Sequence, residues 1–169
     1  MRQAIRCTKC RVSFYRRNLP HWQRDNKPHF ITFVTRRRLT LPDWAREMVL
    51  SCCRHDHEIK YILHAAVVMP DHVHLILTPK VDKEKMTVFP LFEIMKAIKS
   101  ASAHLINRRL CQHGAIWQEE SFDRVLRSSE KLEEKVAYIL QNPVRWGQVE
   151  DWQDYRWLWY EAPASPYTP

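Results

Sequence analysis

Apolar positions along this chain follow two periods. Between Tyr61 and Thr78 two apolar runs, YILHAAVV and HVHLILT, flank a Met69-Pro70-Asp71 break. Proline cannot donate to a central ladder and favours turns, so the break predicts an antiparallel hairpin of strands 60–68 and 72–78. Residues 29–35 (HFITFVT), β-branched and aromatic, predict an earlier strand, and residues 121–127 (SFDRVLR), short and alternating, a later one. Helical spacing lies between them. Thr40-Leu41-Pro42 reads as a helix start, with Thr40 as cap and Pro42 in the first turn. That helix is predicted to reach about Arg54, with Trp44, Met48 and either Val49 or Cys52 turned inward. After a charged loop over 79–87, a longer helix is predicted over 89–110. Leu91, Ile94, Met95, Ile98, Leu105 and Ile106 form its apolar stripe, and His113-Gly114 ends it. A last helix opens at Ser128-Ser129-Glu130 and is predicted to end at Asn142-Pro143.

The order strand, helix, strand, strand, helix, strand, helix predicts an α+β fold. It is a ferredoxin-like split βαβ arrangement: a four-stranded antiparallel sheet with two helices on one face and a further C-terminal helix. Residues 1–28 read as a basic arm, 29–145 as the folded domain and 146–169 as an aromatic tail.

Composition narrows the partner more than the fold. The 169 residues suit one domain, and 45% hydrophobic content excludes a disordered chain. Lys plus Arg number 27 against 19 acidic residues, a net charge of +8, and with seven tryptophans this favours a polyanionic partner such as nucleic acid. No apolar stretch predicts a signal peptide or a membrane span, so a cytoplasmic location is expected. Cys7 and Cys10 have zinc-ligand spacing without a second pair to complete a site, and free thiols are the plainer reading of all five cysteines.

Side chains alternate along a strand, so His72 and His74 project from one side while Val73, Leu75 and Leu77 face the core. Such a pair is half a metal site, or simply two polar residues at a strand end. On the last helix Leu132, Val136, Ile139 and Leu140 cluster on one side. Tyr138 falls opposite, with Lys131, Glu134, Lys135, Gln141 and Asn142. The tyrosine is either a functional phenol or a surface ring on lysine stems. Asn142 stands one turn beyond it. Two imidazoles and an amide oxygen, completed by water or phosphate oxygens, would suit an octahedral divalent cation.

Those segments carry a resemblance. VVMPDHVHLILTP is similar to the histidine-hydrophobe-histidine (HUH) motif of single-tyrosine transposases, and KLEEKVAYILQNPVRWG to their catalytic helix. With NLPHWQ, FITFVT, KAIKS and IWQEESFDRVLRS in collinear order, the chain resembles the REP-associated tyrosine transposases from about Asn18 to Trp152. The resemblance implies that His72 and His74 ligate a metal, Mg2+ or Mn2+, with Asn142 as a third, amide-type ligand. It implies that Tyr138 is the nucleophile. Asp71 stands where an Asn is frequent in the family.

The implied activity is cleavage and rejoining of single-stranded or hairpin DNA through a 5′-phosphotyrosine link. A phenol ordinarily titrates near pH ~10, so Lys131 and Lys135, on the face of Tyr138, are expected to help it ionise. Arg16 and Arg17 in the arm and Arg36, Arg37 and Arg38 after the first strand are the expected phosphate contacts, with Arg108, Arg109 and Arg127 as further candidates. Both a monomer and a homodimer fit. Two alternatives stand beside this reading. One is a non-catalytic DNA-binding protein on the same scaffold; the other is a metal-dependent hydrolase, which would need no tyrosine.

Overall fold

The computed structural model describes residues 27–126 and 129–161; the arm with Arg16, Arg17, Cys7 and Cys10 lies outside them, as does Arg127. In chain order the elements are β1 (His29–Val34), α1 (Asp43–His55), β2 (Tyr61–Val68), β3 (His72–Pro79), the short strands β4 (Val81–Asp82) and β5 (Thr87–Val88), α2 (Leu91–Arg109), β6 (Phe122–Val125), α3 (Ser129–Arg145) and β7 (Leu158–Tyr160). The main sheet has the order β6-β1-β3-β2-β7, with every neighbouring pair antiparallel. The expected α+β split βαβ fold is present.

The sheet separates two cores. Ile31, Phe33, Leu63, Ala66, Val68, Val73, Leu75 and Leu77 pack with α1 and α2, while Phe30, Ala65, Val67, Met69 and Ile76 face α3 with Ile139. A bulge at His64, between Leu63 and Ala65, inserts one unpaired residue in β2. It lets Leu63 and Ala66 share the α1–α2 face although they are three residues apart. Both hairpin strands are buried on two sides, which is why they read as nearly continuous apolar runs.

Five expectations change. The sheet gains a fifth strand: β7 comes from the aromatic tail and pairs with the edge of β2, and Tyr155 is buried, its hydroxyl donating to the Val68 carbonyl at 2.9 Å. Thr40 does not cap α1; Pro42 holds that position with no side-chain bond, and Cys53 rather than Cys52 is buried beside Val49. In α2, Leu105 is exposed and Ser102 points inward. Its hydroxyl donates to the Ile98 carbonyl at 2.7 Å and accepts from the buried Trp117 Nε1–H at 3.0 Å, so a polar residue completes the inner face. The charged loop over 79–87 carries the β4–β5 ribbon. Finally, α3 runs through Pro143 to Arg145. The missing N–H at Pro143 removes the bond to Ile139, but the Trp146 N–H still reaches the Asn142 carbonyl at 3.1 Å and closes another turn. No helix among the described residues is long and apolar enough to cross a membrane.

Candidate active site

β3 leaves the Met69-Pro70-Asp71 turn with His72 and His74 on the α3 side of the sheet. They are 5% and 8% exposed, with ring centroids 4.8 Å apart. α3 packs against β2 and β3. Ile139, fully buried, anchors it, with Leu132 and Val136 half-buried beside it. This rotation brings Tyr138 to the sheet. Its ring lies 5.6 Å from that of His74 and 5.9 Å from that of Phe30, both edge-on, so Tyr138 belongs to the margin of the second core and not to the outward face. One turn further on, Asn142 is 1% exposed, and its Oδ1 has no hydrogen-bond partner among the described residues.

Both imidazoles are held by their Nδ1 atoms. The His72 Nδ1 lies 2.6 Å from Asp71 Oδ1, and Arg38 donates to the other carboxylate oxygen at 3.0 Å. Burial alone would raise the Asp71 pKa, but hydrogen bonds from His72 and Arg38 outweigh it and keep the carboxyl below its usual range. An ionised carboxylate can only accept, so Nδ1 of His72 carries a proton and Nε2 is the atom left to ligate. The His74 Nδ1 lies 2.7 Å from Thr32 Oγ1, its cross-strand partner, again leaving Nε2 free. Burial, followed by the charges of His72 and Lys135, pushes the His74 pKa down to about 3. The ring is therefore neutral and able to ligate at any ordinary pH. Two available imidazole nitrogens and an orphaned amide oxygen fit a divalent cation that also takes phosphate or water oxygens.

Cations surround the phenol. Lys135 Nζ lies 5.2 Å from the Tyr138 ring centroid and 5.3 Å from that of Phe30, and Arg145 Cζ is 5.2 Å from the Tyr138 ring. Lys131 is exposed one turn before Lys135 on α3. Arg36, Arg37 and Arg38 form an exposed 3-10 turn after β1, at the histidine end of the sheet; there the Thr35 N–H donates to the Asp71 carbonyl at 2.9 Å. Arg38 serves Asp71 with its side chain still 65% exposed. Arg109 instead covers the Trp44 ring at 4.6 Å.

Thr32, Arg145 and Trp146 are the site residues that the sequence reading did not single out, and Asp71 gains an orienting role. Arg145 was findable, since seven residues beyond Tyr138 is two helical turns. Thr32 was not, because it reaches His74 only through the β1–β3 register.

A second group of potential ligands, His57, Glu58 and Glu161, has its ligand atoms within 4.8 Å of one another at the opposite end of the hairpin. There the His57 Nδ1 accepts the Leu63 N–H at 3.0 Å. The neutral ring must then carry its proton on Nε2, which suits it to donate to a carboxylate and not to bind a metal.

Comparison with known proteins places the chain in a family. The Transposase IS200 like family matches residues 23–142, and the chain belongs to that family. It is 27% identical over 95 residues to a Haemophilus influenzae protein provisionally named a REP-associated tyrosine transposase. That match spans 52% of this chain and about half (54%) of the relative's own length. A solved structure of a REP-associated tyrosine transposase bound to a REP hairpin superimposes with a TM-score of 0.63 and 25% identity, covering 79% of this chain and 76% of that one.

Proposed function

We propose that this chain nicks and rejoins single-stranded or hairpin DNA, with Tyr138 as the nucleophile and His72, His74 and Asn142 as the ligands of a divalent cation, Mg2+ or Mn2+. The observation that carries this reading is the buried Asn142 Oδ1. An amide oxygen desolvated without a partner costs about 1–3 kcal/mol, and it stands one turn from a phenol whose ring lies 5.6 Å from that of His74. A bound cation would supply Lewis-acid stabilisation to the attacked phosphate.

The protein's own groups do the rest. Lys135 and Arg145 each place a cation 5.2 Å from the centre of the Tyr138 ring, where they would offset the negative charge that builds on the attacked phosphate. The Tyr138 oxygen attacks phosphorus, the phosphorus–O3′ bond breaks, and the departing oxygen takes up a proton as a 3′ hydroxyl. The 5′ phosphate stays on Tyr138 in a link that preserves the bond energy, so a later 3′ hydroxyl can reverse the step and join strands. Arg36, Arg37, Lys131 and the basic arm with Arg16 and Arg17 would hold the DNA backbone. The hairpin named for the solved relative supports DNA of that shape as the substrate.

The test uses hairpin DNA labelled on the 3′ side, incubated with Mg2+ or Mn2+. A labelled protein band that survives denaturing electrophoresis in the native protein and is absent in Tyr138→Phe is the expected result. DNA binding with no adduct under either metal would favour a non-catalytic binding protein. Cleavage retained by Tyr138→Phe would favour a hydrolase.

A further inference from the structure

We infer that Trp146, with Arg145, forms a nucleobase subsite: a stacking platform for the base of a nucleotide next to the attacked phosphate. The inference rests on the reading of the site proposed above. Tyr138, Asn142 and Trp146 form one i, i+4 row along α3, so nucleophile, ligand and indole follow each other at about 6 Å of helical rise. The Trp146 ring lies 5.7 Å from that of His72, tilted by 56°, and is 61% exposed. Among the described residues the other tryptophans are buried or half-buried, each with work inside the fold. Trp117 donates to Ser102, Trp157 lies under Arg46 at 3.5 Å, Trp159 meets His57, Trp44 lies under Arg109, and Trp152 packs on Tyr160.

The backbone of Trp146 is also fixed in place. Its backbone N–H donates to the Asn142 carbonyl, and Gly147, at a φ of +62°, ends the helix directly after it. A large aromatic face presented beside the His72 imidazole, with the Arg145 guanidinium over the neighbouring Tyr138 ring, suits a flat ligand with an anionic neighbour, which is a nucleotide. The base stacks on Trp146 while Arg145, over the Tyr138 ring, pairs with the backbone phosphate. Such a platform is tolerant of sequence, because every base has a π-face.

The test measures binding in the Tyr138→Phe background, so that no covalent step intervenes. The probe is a fluorescent pool of DNA hairpins with randomised single-stranded flanks, and an abasic site is moved one position at a time through the flank. Trp146→Ala should weaken binding roughly 5- to 150-fold, the equivalent of one stacked base, and Trp146→Phe should recover most of it. At one abasic position the difference between the tryptophan and alanine proteins should vanish. An equal loss at every position, no loss at all, or failure of the pool to bind would overturn the subsite. Unchanged thermal midpoints for both variants exclude misfolding as the cause. The outcome is separable from the catalytic reading: a position-specific effect without any Tyr138 adduct in the native protein would leave the subsite and remove the nuclease, and the converse would do the reverse.

Discussion

Replacing Asn142 by leucine is expected to stabilise the metal-free protein and abolish its cation affinity, a pair of effects with opposite signs. Asn142 is 1% exposed and its Oδ1 is unpaired among the described residues. Leaving such an oxygen buried costs about 1–3 kcal/mol, and an apolar residue of similar shape removes that cost. Leucine also forms helix better than asparagine, by a few tenths of a kcal/mol (~0.4). At about 2–4 °C per kcal/mol for a chain of this length, the midpoint in EDTA should rise by roughly 3–14 °C. The assay is thermal unfolding by circular dichroism in EDTA and in excess Mn2+, with Mn2+ affinity measured directly by calorimetry. In the native protein Mn2+ should raise the midpoint through mass action; in the variant it should not. Asn142→Ala separates shape from polarity, since it also loses the amide but leaves a cavity. A leucine variant that melts lower in EDTA would mean that the amide stabilises the fold, and an undiminished Mn2+ shift would mean that it is no ligand. Either result refutes the reasoning.

Three other outcomes follow from the same geometry. Because burial, then the charges of His72 and Lys135, hold the His74 pKa at about 3 against 6.5 when unfolded, the unfolded chain binds that proton more readily. The stability His74 contributes is whole above pH 6.5 and is lost as the pH falls toward 3, so His74→Gln should flatten the acid limb of a urea-stability profile taken in EDTA; an unchanged slope removes the argument. Ile139→Ala should cost about 2–5 kcal/mol of packing under α3. It should slow adduct formation at urea concentrations where hairpin binding persists, and parallel loss of both would show that the helix does not act separately from the DNA grip. Lys135→Ala should slow adduct formation at saturating hairpin, with Lys135→Arg restoring it, and an unchanged rate would remove that cation from the reaction.

The fold was largely legible because its elements carry their own periods. The hairpin 60–78 and the stripes of α1 and α2 identify themselves by alternation and helical spacing, and errors cluster where a tertiary partner decides. Ser102 faces the core because Trp117 offers it an indole N–H, which no helical wheel records. β7 was missed because Leu158-Trp159-Tyr160 reads as aromatic without strand alternation, and only the open edge of β2 makes it a strand. In the candidate site, the spacing of His72 and His74 and the i+4 relation of Tyr138 to Asn142 are local and readable. Thr32 reaches His74, and Arg38 reaches Asp71, through partners 42 and 33 residues away, and so depend on the assembled sheet.

The placement of Tyr138 shows why the wheel misplaced it. A helix wheel assigns faces relative to the centroid of the apolar residues, but α3 is fixed mainly by Ile139, the residue it buries fully in the second core. Measured from Ile139, Lys135, Asn142 and Tyr138 lie about 40°, 60° and 100° to one side, within reach of the sheet and not opposite it. The border between the two faces therefore lies over β3. A border is where a site of this kind has to lie: the His74 imidazole needs burial to stay neutral, the amide needs burial to be worth pairing, and the phenol needs access to solvent. Moving the row of Tyr138, Asn142 and Trp146 one position along α3 would turn it by about 100°, and would either bury the phenol or carry the amide away from the histidines.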